Sequence, residues 1–165
     1  MSSDRLQQLW APWRLSYVAA EPQADRPDCF ICDGLSQSDD RRHLIVQRTE
    51  HSVVVLNKYP YNNGHLLVAP LRHVARPQDL HQAEVLDQQQ QLQKMMERLN
   101  QLIKPEGYNI GMNLGRVSGA GLPGHLHWHL VPRWNGDTNF MPVLADTKVI
   151  AQSLEALYDL LHDVK

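Results

Sequence analysis

Three histidines alternate with large apolar residues near the C-terminal third of the chain. His125, His127 and His129 are separated by Leu126 and Trp128, which is the period-2 pattern of a half-buried β-strand. On such a strand the three imidazoles point to one side and the apolar residues point to the core. Imidazoles that titrate near neutral pH are suited to nucleophilic attack, proton transfer or metal binding. The alternative is a strand whose polar face happens to carry histidine.

The two cysteines of the chain form a second candidate site. Cys29 and Cys32 have the Cys-x-x-Cys spacing of half a tetrahedral zinc site, which needs two more ligands. One alternative is a pair of small buried cysteines. A redox pair is less favoured, because no thioredoxin-like βαβ pattern surrounds the cysteines, and two cysteines are too few for a disulfide scaffold.

The bulk composition indicates one globular domain. The chain has 165 residues, of which 42% are hydrophobic and 21% charged, enough for a substantial core. A formal net charge of −2 argues against a general binder of nucleic acid or of membrane surfaces. The start of the chain has no apolar signal segment, and no run is long enough to span a bilayer. We therefore expect a cytoplasmic protein.

Five segments are predicted to form the strands that position the histidines. They are rich in β-branched and apolar residues, and turn signals such as Asn62-Asn63-Gly64 separate them. The segments are 43–47, 52–57, 65–69, 108–114 and 125–133. Short turns between consecutive strands favour an antiparallel sheet.

Two helices are expected beside the sheet. Asp79, with Gln82 three residues later, is the predicted N-cap of a long inserted helix that ends at Pro105. Asp146 or Thr147 is predicted to cap a C-terminal helix. Each helix has an apolar stripe at helical spacing, comprising Leu92, Met95, Met96, Leu99, Leu102 and Ile103 in the first and Ile150, Leu154, Leu157, Tyr158 and Leu161 in the second. The predicted fold class is α+β: an antiparallel sheet of about five strands with one long inserted helix and a C-terminal helix.

Residues 1–28 are predicted to form an N-terminal arm ahead of a domain at 29–165. The arm is rich in proline and tryptophan, and the close pair Trp10 and Trp13 indicates that its aromatic side chains pack onto the body or a partner. The alternative is a disordered tail.

Several spaced motifs resemble those of the histidine triad (HIT) superfamily of nucleotide hydrolases and transferases. They are the three histidines with the following Leu130-Val131-Pro132-Arg133, the segment from Asn57 to Pro70 (NKYPYNNGHLLVAP), and Asn113 with the glycine-rich loop before the triad. This resemblance extends from about Cys29 to Pro142 and implies a HIT-like fold. The flanking segments 9–14 (LWAPWR) and 132–140 (PRWNGDTNF) resemble the diadenosine tetraphosphate phosphorylase-like branch, close to the fragile-histidine-triad hydrolases.

The resemblance implies a different role for each of three histidines. His127 would be the nucleophile that attacks an α-phosphorus and forms a nucleotidyl-imidazole intermediate. A neutral imidazole nitrogen attacks without first losing a proton, provided that the other nitrogen is held as a donor, and a main-chain carbonyl is suited to hold it. His129 would hydrogen-bond the phosphate or the leaving group, and His65 would orient its neighbours. The alternatives are a packed strand histidine for His127 and a solvent-facing strand-end histidine for His65.

Nucleotide-binding positions are implied in the same way. Asn57 and Asn113 have amides suited to ribose hydroxyls and phosphate oxygens, although both also suit ordinary strand ends or turns. Glycines at Gly64 and Gly121 permit close approach of the backbone to phosphates. Trp134 is predicted to stack on a base or to form a dimer contact, as is Phe140, with core packing as the alternative.

The loop from Gly115 to Gly124 departs from the commoner family loop, which carries Gln and Ser or Thr before the triad. Arg116 and Ser118 are therefore the candidate side chains for assisting the leaving group.

Family members with the Cys-x-x-Cys pair complete a zinc site with two histidines. By this resemblance the ligands would be Cys29, Cys32, His73 and His125, with His51 as the nearest rival. Such a structural Zn²⁺ would pin the N-terminal loop to the sheet and leave no open position for catalysis.

The predicted function is cleavage of a dinucleoside polyphosphate through a nucleotidyl-His127 intermediate. The branch resemblance implies phosphate as acceptor and ADP and ATP as products from diadenosine tetraphosphate. The alternatives are an asymmetric hydrolase, a nucleoside phosphoramidase and a non-catalytic nucleotide-binding protein, and the intact triad argues against the last. No carboxylate cluster for magnesium is visible, so no catalytic metal is predicted. A homodimer is expected, with a tetramer as the alternative; nucleic acid and membrane partners are not.

Overall fold

A computed structural model describes residues 29–138 and 149–163 of the chain. They form a five-stranded antiparallel sheet in the order β1-β2-β3-β5-β4. The strands are β1 (Ile45–Arg48), β2 (Ser52–Leu56), β3 (Leu66–Pro70), β4 (Gly107–Met112) and β5 (Trp128–Arg133). The helices are α1 (Phe30–Ser36), α2 (Gln82–Leu102) and α3 (Leu154–Asp163). This confirms the predicted α+β class with a long inserted helix and a C-terminal helix.

The two faces of the sheet pack against different partners. All five residues of β2 are buried, because both faces of that strand are covered. Val54 and Leu56 pack with Met95 and Leu99 of α2 in the larger core cluster, and the alternating residue Val55 packs in a smaller cluster with residues from the α1 region. Alternation therefore gives each face its own apolar core.

The last strand begins later than the histidine pattern predicts. β5 starts at Trp128, which pairs with Val68, so two of the three histidines precede the ladder. The partner strand ends at Pro70, which has no N–H to extend the ladder. The main-chain N–H of Leu126 donates instead to Val74 O at 2.7 Å.

Both predicted N-caps are wrong. Asp79 lies in a short 3₁₀ turn, and α2 begins after His81, whose main-chain N–H donates to a Glu84 carboxylate oxygen at 2.7 Å. Helix α3 begins at Leu154 rather than just after Asp146 or Thr147, which lie outside the described residues. Ser153 Oγ accepts from the main-chain N–H of Ala156 at 3.2 Å, so a serine closer to the helix makes the capping bond.

The N-terminal arm and Phe140 lie outside the described residues, so their predicted roles stay predictions. The helix α1, which starts between the two cysteines, has no counterpart among the predicted elements. Within the described ranges no helix is long and apolar enough to cross a membrane.

Candidate active site and metal centre

His127 is held with one ring nitrogen bonded and the other free to react. Its side chain is buried, and Nδ1 lies 2.8 Å from the main-chain O of His125. Since a carbonyl oxygen can only accept, Nδ1 carries the proton and the lone pair of a neutral ring is on Nε2. Burial lowers the pKa of His127 below its ordinary value. The ring therefore has the tautomer and the charge that a nucleophilic nitrogen needs.

A chain of hydrogen bonds leads from the β2–β3 turn to His129. The main-chain N–H of Tyr61 donates to His65 Nδ1 at 3.0 Å. Nδ1 of a neutral His65 must then accept, so Nε2 carries the proton and donates to His129 Nδ1, 2.9 Å away. Because His129 Nδ1 accepts this bond, the proton of a neutral His129 is on Nε2. That nitrogen is buried and has no hydrogen-bond partner in the part of the chain that the structure describes.

The rings of His127 and His129 lie edge to face with their centroids 5.0 Å apart. Burial, and to a lesser degree the neighbouring His127, lowers the pKa of His129 to about 4. Both rings are therefore neutral at pH 7. His127 offers a lone pair that can attack a phosphorus, and His129 offers an N–H that can stabilise the oxygen that leaves it.

Four side chains converge on a second point, at the start of α1. The ligand atoms of Cys29, Cys32, His73 and His125 all lie within 4.8 Å of one another. His125 Nδ1 is 3.2 Å from Cys29 Sγ and 3.5 Å from Cys32 Sγ, and His73 Nδ1 is 3.2 Å from Cys32 Sγ. In a tetrahedral Cys₂His₂ zinc site the sulfur and nitrogen ligands are about 3.6 Å apart. The donor set and its spacing therefore fit a zinc ion.

Hydrogen bonds to main-chain groups orient two of the donors in this cluster. His125 Nε2 lies 2.9 Å from Pro70 O, so Nε2 donates and Nδ1 faces the two sulfurs. The main-chain N–H of Cys32 donates to Cys29 Sγ at 3.3 Å. Burial and the Cys29 thiol raise the pKa of Cys32 to about 11. At neutral pH the thiol keeps its proton until a cation replaces it.

The segment that carries His73 is fixed to the first turn of α2. Arg72 makes two bonds to the buried Glu84 carboxylate, at 2.7 and 2.6 Å, and holds the pKa of Glu84 at about 2. This ion pair anchors the loop after β3 and thus the approach of His73 to the cysteines. His51, the rival ligand, is not part of the cluster.

The glycine-rich loop is folded partly by the residues predicted to bind substrate. Asn113 Nδ2 lies 3.5 Å from Gly119 O, and Ser118 Oγ donates to Gly115 O at 2.7 Å. Arg116 is exposed, as is Gly121. These residues border the triad in the sequence, and their contacts with a substrate stay predictions.

The remaining predicted binding residues lie in three different surroundings. Asn57 Oδ1 accepts from the Tyr59 N–H at 3.0 Å, and its Nδ2 lies beside His65. Gly64 is buried with a positive φ of 75°. Trp134 Nε1 donates to Lys104 O at 3.0 Å, which places the indole against the end of α2. No described contact joins Trp134 to the triad, and its role at a base or a dimer contact stays a prediction.

Two structural participants were absent from the predicted site. Pro70 contributes its carbonyl to His125, and Tyr61 contributes its main-chain N–H to His65. Both contributions come from main-chain groups, which the residue type does not indicate. For Tyr61 a signal was present, since an aromatic side chain stands four residues before His65 in the turn that leads to it.

Comparison with known proteins places this geometry in a family. The HIT domain model matches residues 39–136. The AP-4-A phosphorylase of Mycobacterium tuberculosis is 39% identical over 92% of this chain and 80% of its own length. The asymmetrical bis(5'-nucleosyl)-tetraphosphatase of Schizosaccharomyces pombe is 32% identical over 56% of this chain and 50% of its own length.

A solved structure of a zinc-bound histidine triad family protein from Mycobacterium smegmatis superposes with a TM-score of 0.59 at 24% identity, covering 72% of this chain and 81% of the other. This likeness concerns the fold, and the family model covers more than half of the chain. The chain therefore belongs to the HIT family.

Proposed function

We propose that the protein is a nucleotidyl-transferring enzyme that cleaves dinucleoside polyphosphates, with diadenosine tetraphosphate as substrate and inorganic phosphate as acceptor. The observation that carries the proposal is the 2.8 Å bond from His127 Nδ1 to His125 O. It leaves Nε2 of a buried, neutral imidazole as the nucleophile, next to a histidine with an N–H donor to offer.

The chemistry proceeds in two balanced steps. In the first, His127 Nε2 attacks the α-phosphorus, a P–N bond forms, and the bond from that phosphorus to the bridging oxygen breaks. ATP leaves, and the N–H at His129 Nε2 donates to the departing oxygen, where negative charge develops. In the second, a phosphate oxygen attacks the same phosphorus and breaks the P–N bond, which releases ADP and restores neutral His127.

The choice of acceptor rests on the relatives. The Mycobacterium tuberculosis relative, which aligns with 92% of this chain, is named as a phosphorylase, whereas the Schizosaccharomyces pombe relative named as a tetraphosphatase aligns with 56% of it. Phosphate is therefore the proposed acceptor, and water is the competitor that the site must disfavour.

Product analysis tests the proposal. The protein is incubated with diadenosine tetraphosphate in the presence and absence of inorganic phosphate, and nucleotides are separated by ion-exchange chromatography. We expect ADP and ATP in equal amounts, only with phosphate, and none with His127→Ala. AMP and ATP at the same rate with or without phosphate would identify a hydrolase. Turnover of nucleoside phosphoramidates alone would identify a phosphoramidase.

We also propose that the Cys29, Cys32, His73 and His125 cluster holds a structural Zn²⁺. The ligand spacing, the donor role of His125 Nε2 and the buried position of Cys29 support this assignment. Four protein ligands fill a tetrahedral ion, so the metal would stabilise the fold and leave no position for substrate. Metal analysis of the purified protein should give one zinc per chain, and a value near zero would remove the assignment.

The proposed assembly is a homodimer. Strand β4 is one of the two outer strands of the sheet, and an outer strand offers unpaired main-chain groups to a second chain. Light scattering coupled to size-exclusion chromatography distinguishes a dimer from a tetramer and from a monomer.

A further inference from the structure

Tyr61 lies against the pair formed by His65 and His129, although it belongs to neither the triad nor the metal cluster. Its ring centroid is 4.7 Å from that of His65 and 5.6 Å from that of His129, and it is stacked on the latter with the planes 23° apart. We propose that Tyr61 is a positioning residue, whose main-chain N–H sets the proton positions on both histidines and whose ring keeps water away from them. The proposal rests on the nucleotidyl transfer proposed above.

The main-chain half of the proposal follows from the direction of the hydrogen bonds. The Asn57 amide nitrogen lies 3.2 Å from His65 Nδ1 and 3.4 Å from Nε2, so it does not select between the two ring nitrogens. The Tyr61 N–H is 3.0 Å from Nδ1 alone. An N–H can only donate, and it therefore commits Nδ1 to accept and Nε2 to donate toward His129.

This commitment extends to His129 Nε2, the nitrogen that donates to the leaving oxygen in the proposed reaction. His129 Nδ1 receives the His65 proton donor at 2.9 Å, which leaves the neutral ring with its own proton on Nε2. Reversing the first bond would reverse all the others and would present a lone pair to the leaving oxygen, which also carries lone pairs. The Tyr61 N–H thus decides whether His129 stabilises the leaving group or repels it.

The ring half of the proposal follows from burial. The Tyr61 side chain is 45% exposed, whereas His65 beneath it is completely buried, so one face of the phenol meets solvent and the other covers the histidines. Burial is the main cause of the lowered pKa of His129. Within residues 29–138 and 149–163 the titratable groups whose rings contact His129 are His65, His127 and Tyr61. Among the described residues the phenol hydroxyl has no hydrogen-bond partner, so the ring supplies the cover and the hydroxyl is not needed for it.

Ring-nitrogen NMR of protein labelled with ¹⁵N-histidine tests both halves without substrate. In the wild type we expect the His129 signals of a neutral ring with its proton on Nε2, down to about pH 5. Removing the ring in Y61L, and in Y61A as a second variant, should raise the pKa of His129 by about one pH unit or more. The conservative Y61F should return the titration to that of the wild type. Y59L, which changes a nearby exposed tyrosine, is the matched control and should titrate as the wild type does.

Steady-state kinetics with diadenosine tetraphosphate supply the second measurement. We expect Y61L to lower kcat about tenfold with KM changed less than about threefold, since positioning affects the transition state more than binding. A His129 proton on Nδ1 in the wild type would overturn the main-chain half. A His129 titration in folded Y61L and Y61A that matches the wild type would overturn the ring half.

The two proposals fail in different ways. If the wild type does not turn over diadenosine tetraphosphate but shows the expected His129 tautomer and its response to Y61L, the proposed substrate is wrong and the role of Tyr61 stands. If the wild type is active but the tautomer is reversed, the nucleotidyl transfer stands and the role of Tyr61 is refuted.

Discussion

His125 and His127 belong to neighbouring sites and present opposite ring nitrogens to them. His125 donates from Nε2 to Pro70 O and turns Nδ1 toward the cysteines, whereas His127 donates from Nδ1 to the carbonyl of His125 and leaves Nε2 available. The same residue type thus has one proposed role as a metal ligand and another as the nucleophile. In each case the ring nitrogen that donates to a main-chain carbonyl is occupied, and the other nitrogen remains reactive.

The two sites also differ in how fully they are satisfied. In the Cys29, Cys32, His73 and His125 cluster four possible ligand atoms lie within 4.8 Å of one another, the number that the proposed tetrahedral zinc ion needs. In the active site the Nε2 atom of His129 is buried without a partner among the described residues. Four metal ligands that bind one ion stabilise a fold. A buried N–H without a protein partner can instead donate to a group of the substrate.

The largest expected effect is the loss of the nucleophile. His127→Ala should lower kcat for diadenosine tetraphosphate at least about 10³-fold, because no other described side chain presents a free imidazole lone pair at this position. Metal content should remain at the wild-type value, since the side chain of His127 is not a ligand. His162→Ala, which changes an exposed histidine on α3, is the control. A variant that retains even a tenth of the activity would contradict the assignment of the nucleophile.

Breaking the metal cluster should give the reverse pattern. Cys32→Ser should reduce bound zinc from one per chain to well below one and lower the melting temperature by about 5 °C or more. The bond from His127 goes to a main-chain carbonyl, so folded Cys32→Ser protein should retain more activity than His127→Ala. Zinc is measured by atomic emission and melting by circular dichroism. Full zinc occupancy in the variant would show that this cysteine is not a ligand.

A smaller effect is expected in the turn that carries His65. At Gly64, where φ is +75°, a Cβ atom would lie 2.8 Å from Ile103 Cδ1 and 3.0 Å from Pro132 Cγ. Gly64→Ala should therefore lower the free energy of unfolding by about 1–3 kcal/mol, with zinc content unchanged. The matched control is Gly107→Ala, because a Cβ at Gly107 would have no neighbour within 4 Å. Equal urea midpoints for the two variants would refute the close approach of this turn to α2.

The smallest expected effect is a pH dependence of stability from His129. The pKa of this ring is about 4 in the folded protein and about 6.5 when unfolded. Between these values the unfolded chain binds a proton that the folded protein does not, so stability falls as the pH drops from 6.5 toward 4. Urea midpoints at pH 7 and pH 5 should differ less in His129→Gln than in the wild type. An identical decrease in both proteins would show that His129 titrates normally.

Much of the fold followed from local patterns. Alternating apolar residues located all five strands to within a few residues, and the stripe of Leu92, Met95 and Leu99 located α2. The exact starts of both long helices were missed, because the capping bonds are made by Ser153 and by the Glu84 carboxylate. Several residues near each helix start are capable caps, and tertiary packing selects among them.

The alternating histidines led to one interpretation that the structure refines. Period-2 spacing predicts that three imidazoles share one environment, but His125 joins the cysteines while the rings of His127 and His129 contact each other. The ladder of β5 begins only at Trp128. Residues ahead of it follow the loop after β3, whose path depends on Pro70, Val74 and the Arg72–Glu84 ion pair.

By itself the sequence determined the fold class, the family and the side chains capable of chemistry, since periodicity and residue type are local properties. The tertiary structure decided which nitrogen of each imidazole carries the proton and which four side chains converge. Those properties depend on main-chain groups from distant segments, such as the Tyr61 N–H and the Pro70 carbonyl. Every residue has a main-chain carbonyl, and every residue except proline has an N–H, so only the folded chain reveals which of these groups a histidine meets.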